Sequence, residues 1–246
     1  MFNQQVSSTP LSSMLSTSHY ISTVYLGAHQ LFCQSHKNCW LVHTETGAVS
    51  QLPDLNPPKV YVGLIHHANC IYAFCGRVNG RPSRLCSAFN VKELHWMHLP
   101  EAIQARQSLN LVLYAGHIIL ANGCHPSVES FDPKTAKFTL LPIATGLHVS
   151  SSSIVHDHRI FIFGLSDFSI WDLRTYESIG KQKYQNSLSM ATSQLPPVVY
   201  KNKGYFVLKG SQVLEVDLES WDSCLLDSLT GQVKAGVSHS SANKHS

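Results

Sequence analysis

Five short apolar runs punctuate the chain, each following turn-forming residues: Leu31-Phe32-Cys33, Ile71-Tyr72-Ala73-Phe74, Ile118-Ile119-Leu120, Ile160-Phe161-Ile162-Phe163 and Tyr205-Phe206-Val207-Leu208. Their first residues lie 40, 47, 42 and 45 positions apart. A second series trails the first: Val42-His43, Phe89-Asn90, Phe131-Asp132, Trp171-Asp172 and Val216-Asp217. The second members of these pairs are 47, 42, 40 and 45 positions apart. Apolar runs this short, bounded by Gly, Asn, Asp and Pro, are the size of strands and not of helices. Two independent anchors with one mean period define a repeat. A period of about 40–50 residues built from short strands predicts the blades of a β-propeller.

The third unit parses most clearly. Ser108–Leu113 is strand a, Ile118–Ala121 strand b, Ser127–Phe131 strand c and Lys137–Leu141 strand d. The turn Tyr114–His117, the loop Asn122–Pro126 and the turn Pro133–Ala136 join them, rich in residues that supply positive φ, a fixed φ or local hydrogen bonds. Strand b is mostly apolar on both faces, so it is expected to be buried between neighbouring blades. Five such units fit between residues 20 and 230. The chain is therefore read as all-β, a propeller of about five four-stranded blades. Residues 1–19 are read as a flexible N-terminal tail and 231–246 as a disordered C-terminal tail. The expected ring is a five-bladed disc closed by packing blade one on blade five. The alternative is an open arc, whose exposed terminal flank would invite association.

Apolar strand, glycine, loop, aromatic-Asp pair, turn and second aromatic follow one another in a pattern that resembles the Kelch repeat. Phe89 and Trp96, and Phe131 and Phe138, have that family's spacing of six intervening residues. The glycine after strand b appears as Gly76, Gly123, Gly164 and Gly210. The family usually carries a glycine pair there; Cys75 and Asn122 take the first place. The resemblance covers roughly residues 20 to 230 and is weakest in unit one. Ser166 to Leu173, ending in Trp171-Asp172, reads instead like the end of a WD repeat, but the other units lack Trp-Asp at that place. Both families are propellers. The Kelch resemblance implies a recognition domain, since such propellers are mostly binding modules, although some are oxidases.

Composition narrows the field. Of 246 residues, 43% are hydrophobic and only 13% charged, about half the usual ~25%. That excludes a mostly disordered chain and argues against long charged surface helices. A net charge of +3 is too small to imply binding to nucleic acid or membrane. Seven cysteines without a C-x-x-C argue against a disulfide framework or a zinc ribbon. Reduced thiols, no signal-peptide pattern at the start and no apolar run near ~18 residues predict a soluble, cytoplasmic protein.

Catalytic signatures are absent: no phosphate-binding loop, dinucleotide fingerprint, nucleophile elbow or H-E-x-x-H occurs. The close histidine pairs His66-His67, His95/His98 and His156/His158 fall in or beside turns and are read as surface residues. Cys75 and Cys86 span a loop, but nothing in the local sequence marks either thiol as activated. No cofactor and no metal is expected.

The loops between strands b and c, and between strand d and the next strand a, share one face of an antiparallel propeller. The longest b–c loop, Arg77–Arg84, holds three arginines. The following connection adds Arg106 and Gln107; His125 and His148 lie on the same rim. A guanidinium fork pairs with carboxylates or phosphates. Arg77, Arg81, Arg84, Arg106, Gln107, His125 and His148 are thus the candidate partner-binding residues, although solvated loop charges, or packing of Arg106 where strand a begins, account for them equally. Two function classes follow. One is a non-catalytic interaction module binding an acidic or phosphorylated protein segment. The other is a propeller enzyme, sugar-modifying or oxidase in type, with a small polar site at the central pore.

Overall fold

A computed structural model of the chain describes residues 20–145, 152–164, 167–183, 197–207, 212–227 and 232–233. These residues form strands and turns without a helix, so none is long and apolar enough to cross a membrane. Five four-stranded antiparallel blades follow one another. Blade one is β1 (Ser22–Gly27), β2 (Gln30–Ser35), β3 (Asn38–His43) and β4 (Val49–Leu52). In blade two, β5 (Gly63–His67) and β6 (Cys70–Phe74) precede a small hairpin, β7 (Arg77–Val78) and β8 (Arg81–Pro82); β9 (Cys86–Asn90) and β10 (His95–Leu99) complete the blade. Blade three is β11 (Asn110–Tyr114), β12 (His117–Ala121), β13 (Ser127–Asp132) and β14 (Lys137–Ala144). Blade four is β15 (Ser152–His156), β16 (Arg159–Phe163), β17 (Asp167–Asp172) and β18 (Ser178–Lys183). Blade five is β19 (Val198–Tyr200), β20 (Lys203–Val207), β21 (Val213–Asp217) and β22 (Ser223–Asp227). Beyond residue 230, β23 (Gln232–Val233) pairs with β22 as a fifth strand of that sheet.

The repeat anchors have a physical cause. Four residues after His43, Asn90, Asp132, Asp172 and Asp217 stand Gly47, Leu94, Ala136, Tyr176 and Trp221, all with positive φ. At Asn90, Asp132, Asp172 and Asp217 the anchor's side-chain oxygen accepts the backbone N–H two residues on. The anchors are thus the caps of the c–d turns. The next residue ties that turn to the a–b turn of the same blade: Val91 N–H bonds Asn69 O, Leu173 N–H bonds His158 O, and Leu218 N–H bonds Asn202 O.

Four cores fill the junctions between successive blades. Phe32 and Leu55 of blade one meet Ile71 and Phe89 of blade two. Phe74 and Ala88 of blade two meet Ile118 and Phe131 of blade three. Ile119 and Val128 meet Ile160 and Ile162 of blade four. Phe161, Phe163 and Phe168 meet Phe206, Leu214 and Val216 of blade five. In the three middle blades, strand b is buried over four consecutive residues, as its two apolar faces require. In the end blades the expectation of a buried strand b fails in part: Phe32 and Phe206 are buried, but Leu31 and Tyr205 beside them are only half-buried. Each end blade shares a described core on one side alone. No hydrogen-bonded strand pair joins blade five to blade one among the described residues, so strand pairing does not close the ring.

The blade four–five junction leans on one ring. The Phe163 ring centre is 4.2 Å from that of Phe206 and 5.1 Å from that of Phe168. Phe163→Ala is expected to cost about 3–5 kcal/mol in urea denaturation, with limited proteolysis attacking blade five first.

Candidate functional site

The rim that gathers the b–c and d–a loops is built around a threaded connector. Residues 100–109, between β10 and β11, run between the β7–β8 hairpin and the b–c loop of blade three. Arg106 N–H donates to Ser83 O, its own carbonyl accepts Gly76 N–H, and Gln107 N–H donates to Gly123 O. Gly123 permits this approach: its φ is positive, and a Cβ there would sit 2.8 Å from the Leu109 side chain and 2.9 Å from Gln107 O. Gly76, also with positive φ, makes the same room for the segment between β4 and β5, where a Cβ would sit 2.8 Å from Val60 O. The single glycine kept after strand b therefore makes room for the connector that enters its own blade.

Arg106 itself corrects the sequence reading. It was expected on the binding rim; it has no exposed surface. Its Nε and Nη2 donate to Glu129 Oε1 at 3.0 and 2.9 Å, Nη1 to Asn122 O at 2.5 Å, and Nη2 also to Ser127 O at 2.7 Å. Glu129 is equally buried and accepts the N–H groups of Ile103 and Gln104 as well. The pair pins the connector to strand c of blade three and is unavailable to a partner.

Sequence reasoning missed a second buried cation, Lys59. It stands 47 residues before Arg106, the interval from Ile71 to Ile118, so superposing the repeats would have found it. Its Nζ donates to Leu85 O at 2.9 Å and Ala73 O at 3.4 Å. Burial pushes its pKa down, and the thiols of Cys86 and Cys75 partly offset that.

The three loop arginines separate. Asn79 and Gly80, with φ of 50° and 77°, make the tight turn of the β7–β8 hairpin. Directly opposed residues share a face. Arg77 pairs with Pro82 and Val78 with Arg81, so Arg77 and Arg81 lie on opposite faces. Arg77 folds back, donating through Nε and Nη2 to Gly80 O, with its guanidinium carbon 6.0 Å from the Tyr61 ring centre. Arg84 donates to Ala102 O at 2.6 Å and lies 3.5 Å from a Glu101 carboxylate oxygen. Arg81 is exposed and makes no hydrogen bond or ion pair with the described residues.

Around Arg77 gather Tyr61, Tyr20, Gln107 and Cys124. The Tyr61 and Tyr20 ring centres are 4.3 Å apart. Burial, the Tyr20 hydrogen bond and the Tyr20 charge push the Tyr61 phenol up to about 12, although Arg77 opposes them; it stays protonated at neutral pH. Gln107 is half-buried and bonded to the Cys124 thiol. His125 is half-buried, its Nδ1 2.8 Å from Ser127 Oγ; burial and the Arg106 charge hold its pKa below the ordinary histidine value, against the pull of Glu129. His148 lies outside the described residues.

At the centre, the first strands of blades two to five, with Pro197, line an open cavity of about 250 Å³. Ile65, Val112, Val155 and Val199 supply apolar walls, with Asn110 and Ser153 the polar side chains among them. Asn110 Nδ2 is engaged with Ser153 O at 2.6 Å. The described lining contains no acid, histidine, tyrosine or thiol. Among the described residues no three His, Cys, Asp or Glu side chains gather to hold a metal ion.

Glu129→Ala leaves the Arg106 charge buried and unpaired. The expected loss is about 3–5 kcal/mol in chemical denaturation, and the double variant Arg106→Met with Glu129→Leu is expected to recover most of it.

No known protein family and no curated protein matches this chain.

Proposed function

We propose that this propeller is a non-catalytic recognition module of the Kelch type. Its blade-two hairpin and adjoining rim bind an acidic or phosphorylated segment of a partner protein in the cytoplasm. The observation that carries this reading is Arg81, an exposed cation on a hairpin of defined geometry with no acidic partner among the described residues. Arg77, held over Tyr61 and in no ion pair among the described residues, extends the surface onto the hairpin's other face. Arg84 is partly satisfied by Glu101 and contributes less. A protein segment suits this surface better than nucleic acid or membrane, because the net charge is only +3 and the cations are few.

The Kelch type is supported by paired aromatics. Phe89 and Trp96 are cross-strand partners with ring centres 5.2 Å apart, as are Phe131 and Phe138 at 4.7 Å. The apolar central cavity favours recognition over chemistry, since a pore enzyme needs converging acids, bases or nucleophiles. All seven cysteines are free thiols, in keeping with a reducing compartment.

The test is fluorescence anisotropy with a labelled Glu-rich peptide and its phosphoserine counterpart, titrated across salt. Arg81→Ala is expected to weaken binding about two- to fivefold, the size of one exposed ion pair. The Arg77/Arg81/Arg84 triple-Ala variant should flatten the salt dependence while the melting temperature barely moves. Unchanged affinity and salt slope in the triple variant would remove the basic hairpin as the site.

A further inference from the structure

We propose that Cys75 and Cys86 form a reversible intramolecular disulfide on exposure to a hydroperoxide, making the neck of the β7–β8 hairpin a redox modification site. The inference stands apart from the recognition reading. It reverses the expectation of two inert thiols, and the reason is conformational. Phe74 is the cross-strand partner of Cys86, so an extended residue 75 would point its side chain to the opposite face. Cys75 is instead left-handed, with φ of 58°. Its side chain turns back into the core cluster that holds Cys86, and its backbone N–H bonds the carbonyl of Leu85, the residue next to Cys86. Asn122 has the same conformation at the matching place in blade three. Asn tolerates that region; Cys gains nothing from it locally. Strain of this kind persists where the surroundings impose it and gathers at functional sites.

The chemistry has an asymmetric pair to work with. Cys75 N–H bonds Leu85 O at 3.0 Å, and Ser83 N–H bonds Gly76 O at 2.8 Å just above. The backbone at Cys75 and next to Cys86 therefore forms the base of the hairpin neck. Lys59 Nζ is fixed on Leu85 O, next to Cys86. Burial pushes the Cys86 thiol up, but its hydrogen bonds from Cys75 and the nearby Lys59 outweigh burial and hold it below the ordinary thiol value. Cys75, donating to Cys86 and buried, is held well above it. Cys86 is thus the attacking thiolate, its proton taken up at Lys59 Nζ, and Cys75 is the resolving thiol.

The Cys86 thiolate attacks one peroxide oxygen. The O–O bond breaks, a sulfenic acid forms on Cys86, and the leaving hydroxide takes the proton from Lys59 to become water. Cys75 sulfur then attacks Cys86 sulfur; the S–O bond breaks, and hydroxide leaves with the Cys75 proton as a second water. Two thiols give up two electrons, and one peroxide accepts them. The cross-link closes the base of the hairpin that carries Arg77 and Arg81.

The test uses the full, reduced chain, treated with hydrogen peroxide, alkylated under denaturing conditions and digested for mass spectrometry. The expected product is a peptide joining Cys75 to Cys86, cleaved by dithiothreitol. In Cys75→Ser, dimedone should trap a sulfenic acid on Cys86. In Cys86→Ser, Cys75 should react at least about tenfold more slowly than Cys86 does in Cys75→Ser, as expected for the less ionised thiol. Recovery of both cysteines fully alkylated, or a bridge from either to another cysteine, overturns the proposal. The wild-type digest decides it even if a serine variant fails to fold.

Discussion

A guanidinium with no exposed surface constrains the loop face of this propeller. Burying a charge is costly unless every donor finds a partner and a counter-charge lies beside it. Arg106 is held in this way because four segments converge on it. Glu129 supplies the charge, the carbonyls of Asn122 and Ser127 take the remaining N–H groups, and its own backbone bonds Ser83 and Gly76. The connector between blades two and three therefore has one course. That course fixes the neck of the β7–β8 hairpin on one side and the b–c loop of blade three on the other. The exposed end of the hairpin, where Arg81 sits, is mounted on a rigid base, which lowers the ordering cost a binding loop usually carries.

The parts legible in the sequence are those set by local chemistry. The anchor residues Asn90, Asp132, Asp172 and Asp217 cap their own c–d turns, so their spacing reports the repeat directly. In the third unit, strand b was placed within one residue and strand c ended one residue later than expected. Strand a began later than expected, at Asn110, because Ser108 has positive φ and gives its N–H to Tyr61 O across the rim. Long-range pairing was not legible. Arg106 looks like any connector cation until Glu129, on a different strand of the next blade, is seen beneath it. The separation of Arg77 from Arg81 depends on hairpin register, which three arginines in eight residues do not reveal. Cys75 did leave a trace, since it stands where the resembling repeat has a glycine, a place that demands positive φ.

The end blades show how far the burial pattern depends on neighbours. Blades two to four bury strand b on both faces because each is packed on both sides. Blade one turns Phe32 to its neighbour and leaves Leu31, Cys33 and Trp40 half-buried on the other face. Blade five turns Phe206 inward, and on its far side places the Lys203–Glu215 ion pair beside Tyr205. One outer face is mainly apolar and the other carries charge. Two such faces make a poor mutual core compared with the four described junctions, and among the described residues no strand pairing joins them.

Blades two and three meet the same architectural demand with different chemistry. Each takes a buried cation from the incoming connector and sets it against backbone carbonyls at the start of strand c. In blade three the cation is an arginine, and Glu129 answers it. In blade two the cation is Lys59, and the place matching Glu129 is held by Ser87, which bears no charge; the interval is 42 residues, the same as from Phe89 to Phe131. A lysine can shed its proton where an arginine cannot. Burial favours that loss here, and the neighbouring groups that oppose it are the thiols of Cys86 and Cys75. The cation in blade two is therefore one whose charge burial disfavours, whereas the cation in blade three is paired with Glu129. One side of the connector is a permanent clamp. The other, under the hairpin, is the side where chemistry can change the fold's local state without disturbing the clamp that holds the rim.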